Sequence, residues 1–256
     1  MISLPSAMRW IAAVIIVAAS SAAGSVAQAQ VQIQPAARDT PWSVEFGIGW
    51  DNSISGNINS SAIGTLNNQA VVITKNSYDS VYGTGLHMRF GGGYLLHNGT
   101  EVRATFTLQS LDADLAEMGD IGTSHLYGQY DDYQTFGLDV GLRRYLDLTP
   151  GLRAYGEGTV GIAIIDETDV ILVAPGANLA GNATDFYDKT AAFTVGTNVG
   201  LMARAANRVD VFGQLGLRWM SGMSAIDNLE DTSLDTINDK SSRWTMPFLA
   251  GVRLRF

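Results

Sequence analysis

The chain has 256 residues, of which 46% are hydrophobic and 16% are charged, and its formal net charge is −9. This negative charge argues against nucleic acid as a partner, because the phosphate backbone attracts basic surfaces. The chain has no cysteine, which excludes a disulfide framework and a lipid-attachment cysteine. Beyond the N-terminal region no apolar run approaches the roughly 18 residues of a spanning helix, which excludes a helical membrane protein.

The N-terminal residues 1–29 have the pattern of a secretory signal peptide. A positive charge precedes an apolar stretch at residues 10–19, and Ala27 and Ala29 form an A-x-A cleavage site. The alternative is a membrane anchor, but the apolar stretch is shorter than the roughly 20 residues that a spanning helix needs. We therefore expect cleavage after Ala29 and export of the remaining chain. Residues 30–41 contain two prolines and no regular alternation, so we expect a flexible leader there.

The remaining residues, 42–256, are expected to form one domain, and the segment at 244–256 shows most clearly how it is built. The even-numbered residues of this segment are all apolar, and it ends on the aromatic Phe256. A period of two predicts a β-strand whose successive side chains point to opposite faces of a sheet. A wholly apolar strand face with an aromatic end is typical of the closing strand of an outer-membrane barrel, where that face contacts lipid.

Seven further segments alternate in the same way, so the sequence predicts eight strands. They lie at about residues 42–50, 81–95, 100–110, 133–146, 152–165, 191–203, 209–220 and 244–256. The connections alternate in length, with long segments at about 51–80, 111–132, 166–190 and 221–242 and short turns at about 97–99, 147–151 and 204–208. This pattern predicts an all-β fold, an eight-stranded antiparallel up-and-down transmembrane β-barrel with short periplasmic turns and long extracellular loops.

The strand faces opposite the apolar ones carry charges. We expect ten of these charges to line the lumen and to pair with one another: Glu45, Arg89, Glu101, Arg103, Asp139, Arg143, Glu157, Asp210, Arg218 and Arg253. A soluble lipocalin-like barrel also has eight strands, but charges could not line its dry cavity without a heavy desolvation cost. In a membrane barrel, five acidic and five basic side chains leave the interior nearly neutral.

The segment from Leu152 to Gly161 carries a resemblance to a known family. Its sequence, L-R-A-Y-G-E-G-T-V-G, is similar to the Gly-rich fifth strand, R-x-Y-x-G-x-G-x-G, of the outer-membrane β-barrels that include the opacity-type surface antigens and the OmpA-like barrels. Here Glu157 falls between the first two glycines and Thr159 precedes the last. Together with the signal peptide, the eight strands and Phe256, the resemblance implies a bacterial outer-membrane protein.

Seven aromatic residues near the predicted strand ends are expected to form girdles at the membrane interfaces: Trp42, Trp50, Tyr94, Tyr145, Trp219, Trp244 and Phe256. The resemblance also implies that the barrel-assembly machinery recognises Phe256. The expected partners are outer-membrane lipid and lipopolysaccharide, and we expect a monomer.

Most of the 25 acidic residues fall in the long connections. One interpretation is divalent-cation bridging to anionic lipopolysaccharide, because Ca²⁺ and Mg²⁺ favour carboxylate oxygens. The simpler interpretation, which we favour, is a set of solvated loops. No spacing matches a dedicated calcium loop, and the sequence predicts no cofactor and no metal site.

The favoured function is a structural or surface-interaction role, in adhesion or membrane integrity, through the four long loops. The alternative is a narrow channel or transport barrel for small or hydrophobic solutes, although side chains fill the interior of an eight-stranded barrel. A lipid A-modifying enzyme is the third hypothesis. Such a hydrolase needs a nucleophile, a base and an orienting acid, and the surroundings of His87, His97 and His125 show no matching motif. We therefore predict no enzymatic activity.

Overall fold

The computed structural model describes residues 41–66, 68–96, 99–224, 234, 237–238 and 241–256. The predicted signal peptide with Ala27 and Ala29, the leader up to residue 40 and the centre of the turn at His97 lie outside these residues. No helix in the described part of the chain is long and apolar enough to cross a membrane.

Within these ranges the chain forms sixteen strands, numbered in chain order, one short α-helix, α1, at Tyr78–Val81, and one 3-10 helix at Pro175–Ala177. The strands are β1 Trp42–Ser55, β2 Asn57–Asn59, β3 Ala62–Leu66, β4 Gln69–Ile73, β5 Asn76–Ser77, β6 Gly85–Leu95, β7 Thr100–Leu111, β8 Ala116–Ile121, β9 Ser124–Tyr130, β10 Tyr133–Thr149, β11 Leu152–Ile165, β12 Thr168–Ala174, β13 Leu179–Tyr187, β14 Thr190–Ala206, β15 Val209–Met220 and β16 Arg243–Arg255.

Eight of these strands close into an antiparallel barrel. Their order around the wall is β1, β16, β15, β14, β11, β10, β7 and β6, and β6 pairs again with β1. At the closure Phe46 of β1 lies opposite Val252 of β16 and Phe90 of β6, and the backbone N–H of Phe256 donates to the carbonyl of Trp42 at 3.0 Å. Closure satisfies the backbone groups that an open sheet edge would expose to hydrocarbon. The predicted eight-stranded antiparallel barrel is confirmed.

The barrel is apolar outside and charged inside. On the outer wall Phe46, Phe106 and Val140 are 45%, 44% and 53% exposed, whereas Glu101 and Arg143, which point inward, are 0% exposed. A water-soluble domain has the opposite arrangement, with its charges on the surface. An exposed apolar band that runs around a closed barrel is the lipid-contacting surface of a membrane-spanning barrel.

The barrel strands extend further than the sequence predicted. β1 continues to Ser55, β10 to Thr149 and β14 to Ala206, because their backbones keep pairing beyond the last regular alternation of side chains. The turn between β10 and β11 is thereby reduced to Pro150 and Gly151. Gly151 has a φ of +87°, in the left-handed region that favours glycine.

The second predicted strand begins later than expected. The predicted start at residue 81 would place Tyr82 within the strand, on the same face as Leu86 and Phe90, but α1 occupies Tyr78–Val81 and β6 starts at Gly85. Tyr82 is buried, and its hydroxyl donates a hydrogen bond to the carbonyl of Asp131 at 3.1 Å. The alternation of apolar and polar residues therefore indicates the lipid face only for residues that pair within the barrel wall.

Three of the four long connections are not the solvated polar loops that the sequence predicted. They form a second sheet at the barrel end that the sequence assigned to the extracellular side, and we call it the extracellular sheet. The order of its six strands is β13, β12, β9, β8, β4 and β3, and β2 and β5 form a separate pair. Two of its hairpins turn through residues with positive φ, Asn68 at +62° and Gly122 at +60°. Asparagine and glycine suit such positions in tight hairpins.

One apolar core joins this sheet to the extracellular end of the barrel. Leu111, Tyr133 and Met220 come from barrel strands, and the core also contains the inward side chains of the extracellular sheet. The hydroxyl of Tyr187 donates to the carbonyl of Ile58 at 2.5 Å and so links two of the connections. Among the described residues this core covers the extracellular mouth of the barrel.

Candidate functional site

The lumen is the first candidate site, and it contains all ten of the charges that the sequence assigned to it. Each of the ten side chains belongs to a buried residue of a barrel strand. Their positions follow from the alternation, because residues two apart on a strand share a face. The structure brings them together in a central group, a periplasmic group and two separate ion pairs.

The central group surrounds Arg143, which is completely buried. Its Nη1 donates to Glu45 Oε1 at 2.6 Å, and its Nε donates to Glu157 Oε2 at 2.7 Å. Arg103 binds the same Glu45 carboxylate with both Nη atoms at 2.7 Å, and Arg89 forms an ion pair with Glu157. Three arginines thus share two carboxylates, and these contacts connect β1, β6, β7, β10 and β11 through the interior.

The periplasmic group corrects the assignment of Tyr145 to an interfacial girdle. Arg253 binds Glu101 with two nitrogens, at 3.0 and 3.2 Å, and the hydroxyl of Tyr145 contacts both of these side chains. Tyr145 has the same parity on β10 as the inward Arg143, so it points into the lumen. Its position near a strand end suggested a girdle, but strand parity decides which face it occupies.

The remaining inward charges form separate pairs, and two of the residues involved, Arg255 and Asp51, were not assigned to the lumen by the sequence analysis. Asp210 pairs with Arg255, whose Nε lies 3.0 Å from Oδ2, and Asp139 pairs with Arg218 at 3.4 Å. Asp51, which was counted among the loop carboxylates, is buried on β1. Its Oδ2 accepts hydrogen bonds from Gln109 at 2.9 Å and Thr245 at 3.1 Å, and lies 3.5 Å from His87 Nδ1. The odd parity of Asp51 and Arg255 was the signal that could have placed them in the lumen.

Apolar and aromatic side chains lie in the lumen towards both ends of the barrel. Towards the periplasm, Tyr155, Met202 and Phe212 form a small apolar cluster. Towards the outside, the guanidinium of Arg243 lies 4.4 Å from the ring centroid of Tyr133, beneath the extracellular core. Between these layers lies a cavity of about 30 Å³, which is room for one or two water molecules. In the part of the chain that the structure describes, side chains and this small cavity occupy the lumen between the two layers.

The other six predicted girdle residues lie on the outer wall. At the periplasmic end Trp42 packs edge-on against Tyr94, with 4.8 Å between ring centroids, and Phe256 is exposed beside Trp42. Towards the extracellular end Trp50 stacks on Phe248 at 4.6 Å. Trp219 lies opposite Trp244 on the neighbouring strand. The recognition of Phe256 by assembly machinery stays a prediction.

The second candidate site is the outer face of the extracellular sheet, which is acidic. Asp169 of β12 lies directly opposite Asp185 of β13. Partial burial, and then the negative charges of Asp131, Asp185 and Glu167, raise the pKa of the Asp169 carboxyl above its usual value. On the neighbouring strands Nδ1 of His125 lies 3.2 Å from a carboxylate oxygen of Glu117 and of Asp120. Among the described residues no cluster has the arrangement of a metal site.

Proteins similar to this chain are found among solved structures. No protein-family model and no curated protein sequence matches the chain. Among solved structures it is similar to Neisserial surface protein A (12% identity, TM-score 0.43, covering 84% of this chain and 97% of that one). It is also similar to the attachment invasion locus protein Ail of Yersinia pestis (9%, 0.37, 85% and 100%) and to the outer membrane protein OprG from Pseudomonas aeruginosa (10%, 0.40, 85% and 97%). The fold itself rests on the strand pairing described above.

Proposed function

We propose that the protein resides in the bacterial outer membrane and acts at the cell surface, in adhesion or in membrane integrity, through its extracellular sheet. The observation that carries this proposal is that three of the long connections form an ordered six-stranded sheet, with an apolar core that it shares with the end of the barrel. Ordering residues in this way has a considerable entropic cost, which solvated loops would avoid. The extracellular sheet can therefore present its exposed side chains to a partner in a fixed arrangement.

The charge of this surface indicates the chemistry of a partner. Exposed carboxylates include those of Glu117, Asp120, Glu167 and Asp185, whereas Lys75 and Lys189 are the lysines among the described residues. A surface of one sign attracts partners of the other sign and repels its own. A cationic protein surface or peptide is the partner class that fits, and divalent cations that link carboxylates to lipopolysaccharide are a second way to use the same charge.

The ion pairs that cross the lumen favour this role over a narrow channel. The ion pairs around Arg143 connect strands on different sides of the barrel, and both ends of the lumen carry apolar side chains. Opening a path would leave buried charges unpaired, which is strongly unfavourable. A lipid A-modifying activity has no specific observation in its favour, and the absence of enzymatic activity stays a prediction.

The proposal is tested with a deletion strain that is complemented by the wild-type gene or by a variant gene. The variant keeps the barrel and the extracellular sheet but neutralises exposed carboxylates of the sheet. The multiple substitution Glu117→Gln, Asp120→Asn, Glu167→Gln and Asp185→Asn is a suitable variant, since all four side chains are exposed. We expect the deletion to increase sensitivity to detergents and bile salts or to reduce surface attachment. We expect the neutralised variant not to restore the lost property. Full restoration by that variant would contradict a role for the acidic surface.

A further inference from the structure

A groove lies on the outer wall of the barrel, near its extracellular end. Its volume is about 450 Å³, within the range of roughly 300–1,000 Å³ that is typical of small-molecule sites. Four adjacent strands, β6, β7, β10 and β11, supply its floor, and two residues from the connections above them complete it. The lining residues that matter here are Leu108, Ser110, Gln134, Phe136, Asp166 and Lys189.

The floor of the groove changes from apolar to polar along the direction out of the membrane. Leu108 lies opposite Met88 on one side and Phe136 on the other, so the deeper part is a row of apolar side chains. Two residues further along β7, Ser110 lies opposite Gln134. A hydroxyl and an amide, beside Leu86 of β6, thus follow the apolar row in the direction of the extracellular sheet. This order suits an amphiphile whose chain lies deeper than its head group.

Lys189 adds a positive charge at the polar end. Its Nζ lies 2.9 Å from Asp166 Oδ1, and the backbone N–H of Asp166 donates to the carbonyl of Gln134 at 3.1 Å, which holds the pair against β10. The hydrogen bond that Lys189 donates to Asp166, and the negative charges of Asp166 and Glu167, raise the pKa of the Lys189 ammonium, so Lys189 stays protonated. An ammonium has three donors, and one bond to Asp166 leaves two for a ligand.

We propose that this groove binds one phosphorylated glycolipid of the outer leaflet, with an acyl chain along Leu108 and Phe136 and a phosphate at Lys189. Ser110 and Gln134, a hydroxyl and an amide, are groups that form hydrogen bonds with sugar hydroxyls. The inference rests on the outer-membrane location within the proposed function and assigns the lipid contact to one side of the barrel. It does not depend on adhesion through the extracellular sheet.

The test is a titration of the purified full-length barrel, refolded from urea into detergent so that no cellular lipid is carried over. Native mass spectrometry measures the binding of lipid A, of dioleoyl-phosphatidylglycerol and of dioleoyl-phosphatidylcholine. Two variants address the site: Lys189→Ala removes the cation, and Ser110→Trp fills the groove. Two matched controls lie elsewhere: Lys75→Ala on the extracellular side, and Thr197→Trp on the lipid face of β14. Heat-shift electrophoresis verifies that each variant is folded.

We expect one tightly held lipid A per barrel and weaker binding of both phospholipids. Lys189→Ala should weaken the binding of lipid A about tenfold, the effect expected for the loss of one charge-assisted hydrogen bond. Ser110→Trp should weaken it at least as much, and both controls should bind like the wild type. Equal affinity for lipid A and phosphatidylglycerol would overturn the assignment to a glycolipid. Unchanged binding in both site variants would overturn the site. Either result leaves the proposed surface role to its own genetic test.

Discussion

Arg143 of β10 and Glu45 of β1 meet across the lumen, with 2.6 Å between Nη1 and Oε1, although 98 residues separate them in the chain. Both side chains are buried, so neither has water to replace a lost partner. The same Arg143 also binds Glu157, and these contacts make the interior of the barrel a connected set of charges. In such a set, removing one member leaves others buried and unpaired, which costs more than the lost bond alone.

Replacing Glu157 by leucine should therefore destabilise the barrel. The change removes the carboxylate that Arg143 and Arg89 share, and we expect the free energy of unfolding to fall by about 3–5 kcal/mol. Urea unfolding in lipid vesicles, followed by tryptophan fluorescence, measures it. Glu167→Leu, at an exposed site, is the matched control and should change stability by less than about 0.5 kcal/mol. Similar effects at the two sites would argue against a buried network.

An arginine on the lipid face should be costly in a way that depends on its position. Leu138 lies on the outer wall between Phe106 and Ile162, so Leu138→Arg would place a charge in the hydrocarbon. We expect a loss on the order of 2–4 kcal/mol, measured by the same unfolding assay. Asn182→Arg, on the exposed part of β13, should be nearly neutral. A neutral Leu138→Arg would mean that this face does not contact lipid.

Tyr145 offers a test of strand parity. Its hydroxyl contacts Glu101 and Arg253 inside the lumen, so Tyr145→Phe should leave a buried charge pair with an unmet hydrogen bond. We expect a loss of about 1–3 kcal/mol. Tyr94→Phe, on the outer wall, removes the same hydroxyl at an interfacial position and should cost less than about 1 kcal/mol. If the two substitutions were equivalent, Tyr145 would belong to the girdle after all.

The carboxylates of the extracellular sheet should make its stability depend on pH. The pKa of Asp169 is raised in the folded state, so the folded protein disfavours its ionised form and the repulsion is fully present above that pKa. Asp169→Asn should therefore stabilise β12 and β13 at neutral pH. The gain should disappear as the pH falls through the raised pKa towards the usual value of 3.8. Amide hydrogen exchange of β12 and β13 at several pH values measures this, and a gain that persisted at low pH would exclude the electrostatic cause.

The barrel could be predicted from the sequence because the face that each side chain occupies depends on its position along its own strand. Within each barrel strand the alternation of apolar and polar residues indicates which side chain faces lipid, and Glu157 and Arg143 could be placed in the lumen on that basis alone. Tyr145 was misassigned because its closeness to the strand end was given more weight than its odd position on β10, which places it on the inward face. The groove beside Lys189 could not be predicted, because it depends on which strands lie side by side. The residue pattern of a single strand does not give that information.

The extracellular sheet was missed for a different reason. Its strands are short, and the alternation in β4, where Val71 and Ile73 point to the core, covers only a few residues. Acidic residues such as Asp120 and Asp185 on its outer face made the same segments resemble solvated loops. Asn68, which precedes β4, and Gly122 were the turn signals that could have indicated hairpins there.

The central claim is that the chain crosses the outer membrane with its sheet outside and its short turns inside, and cysteine labelling of cells tests it most directly. The chain has no cysteine, so single substitutions report one position each. Thr123→Cys lies in the turn between β8 and β9, and Asn207→Cys lies in the turn between β14 and β15. With a membrane-impermeant maleimide we expect Thr123→Cys to be labelled on intact cells and Asn207→Cys only after the outer membrane is permeabilised. Labelling of Asn207→Cys on intact cells, with Thr123→Cys protected, would contradict the account.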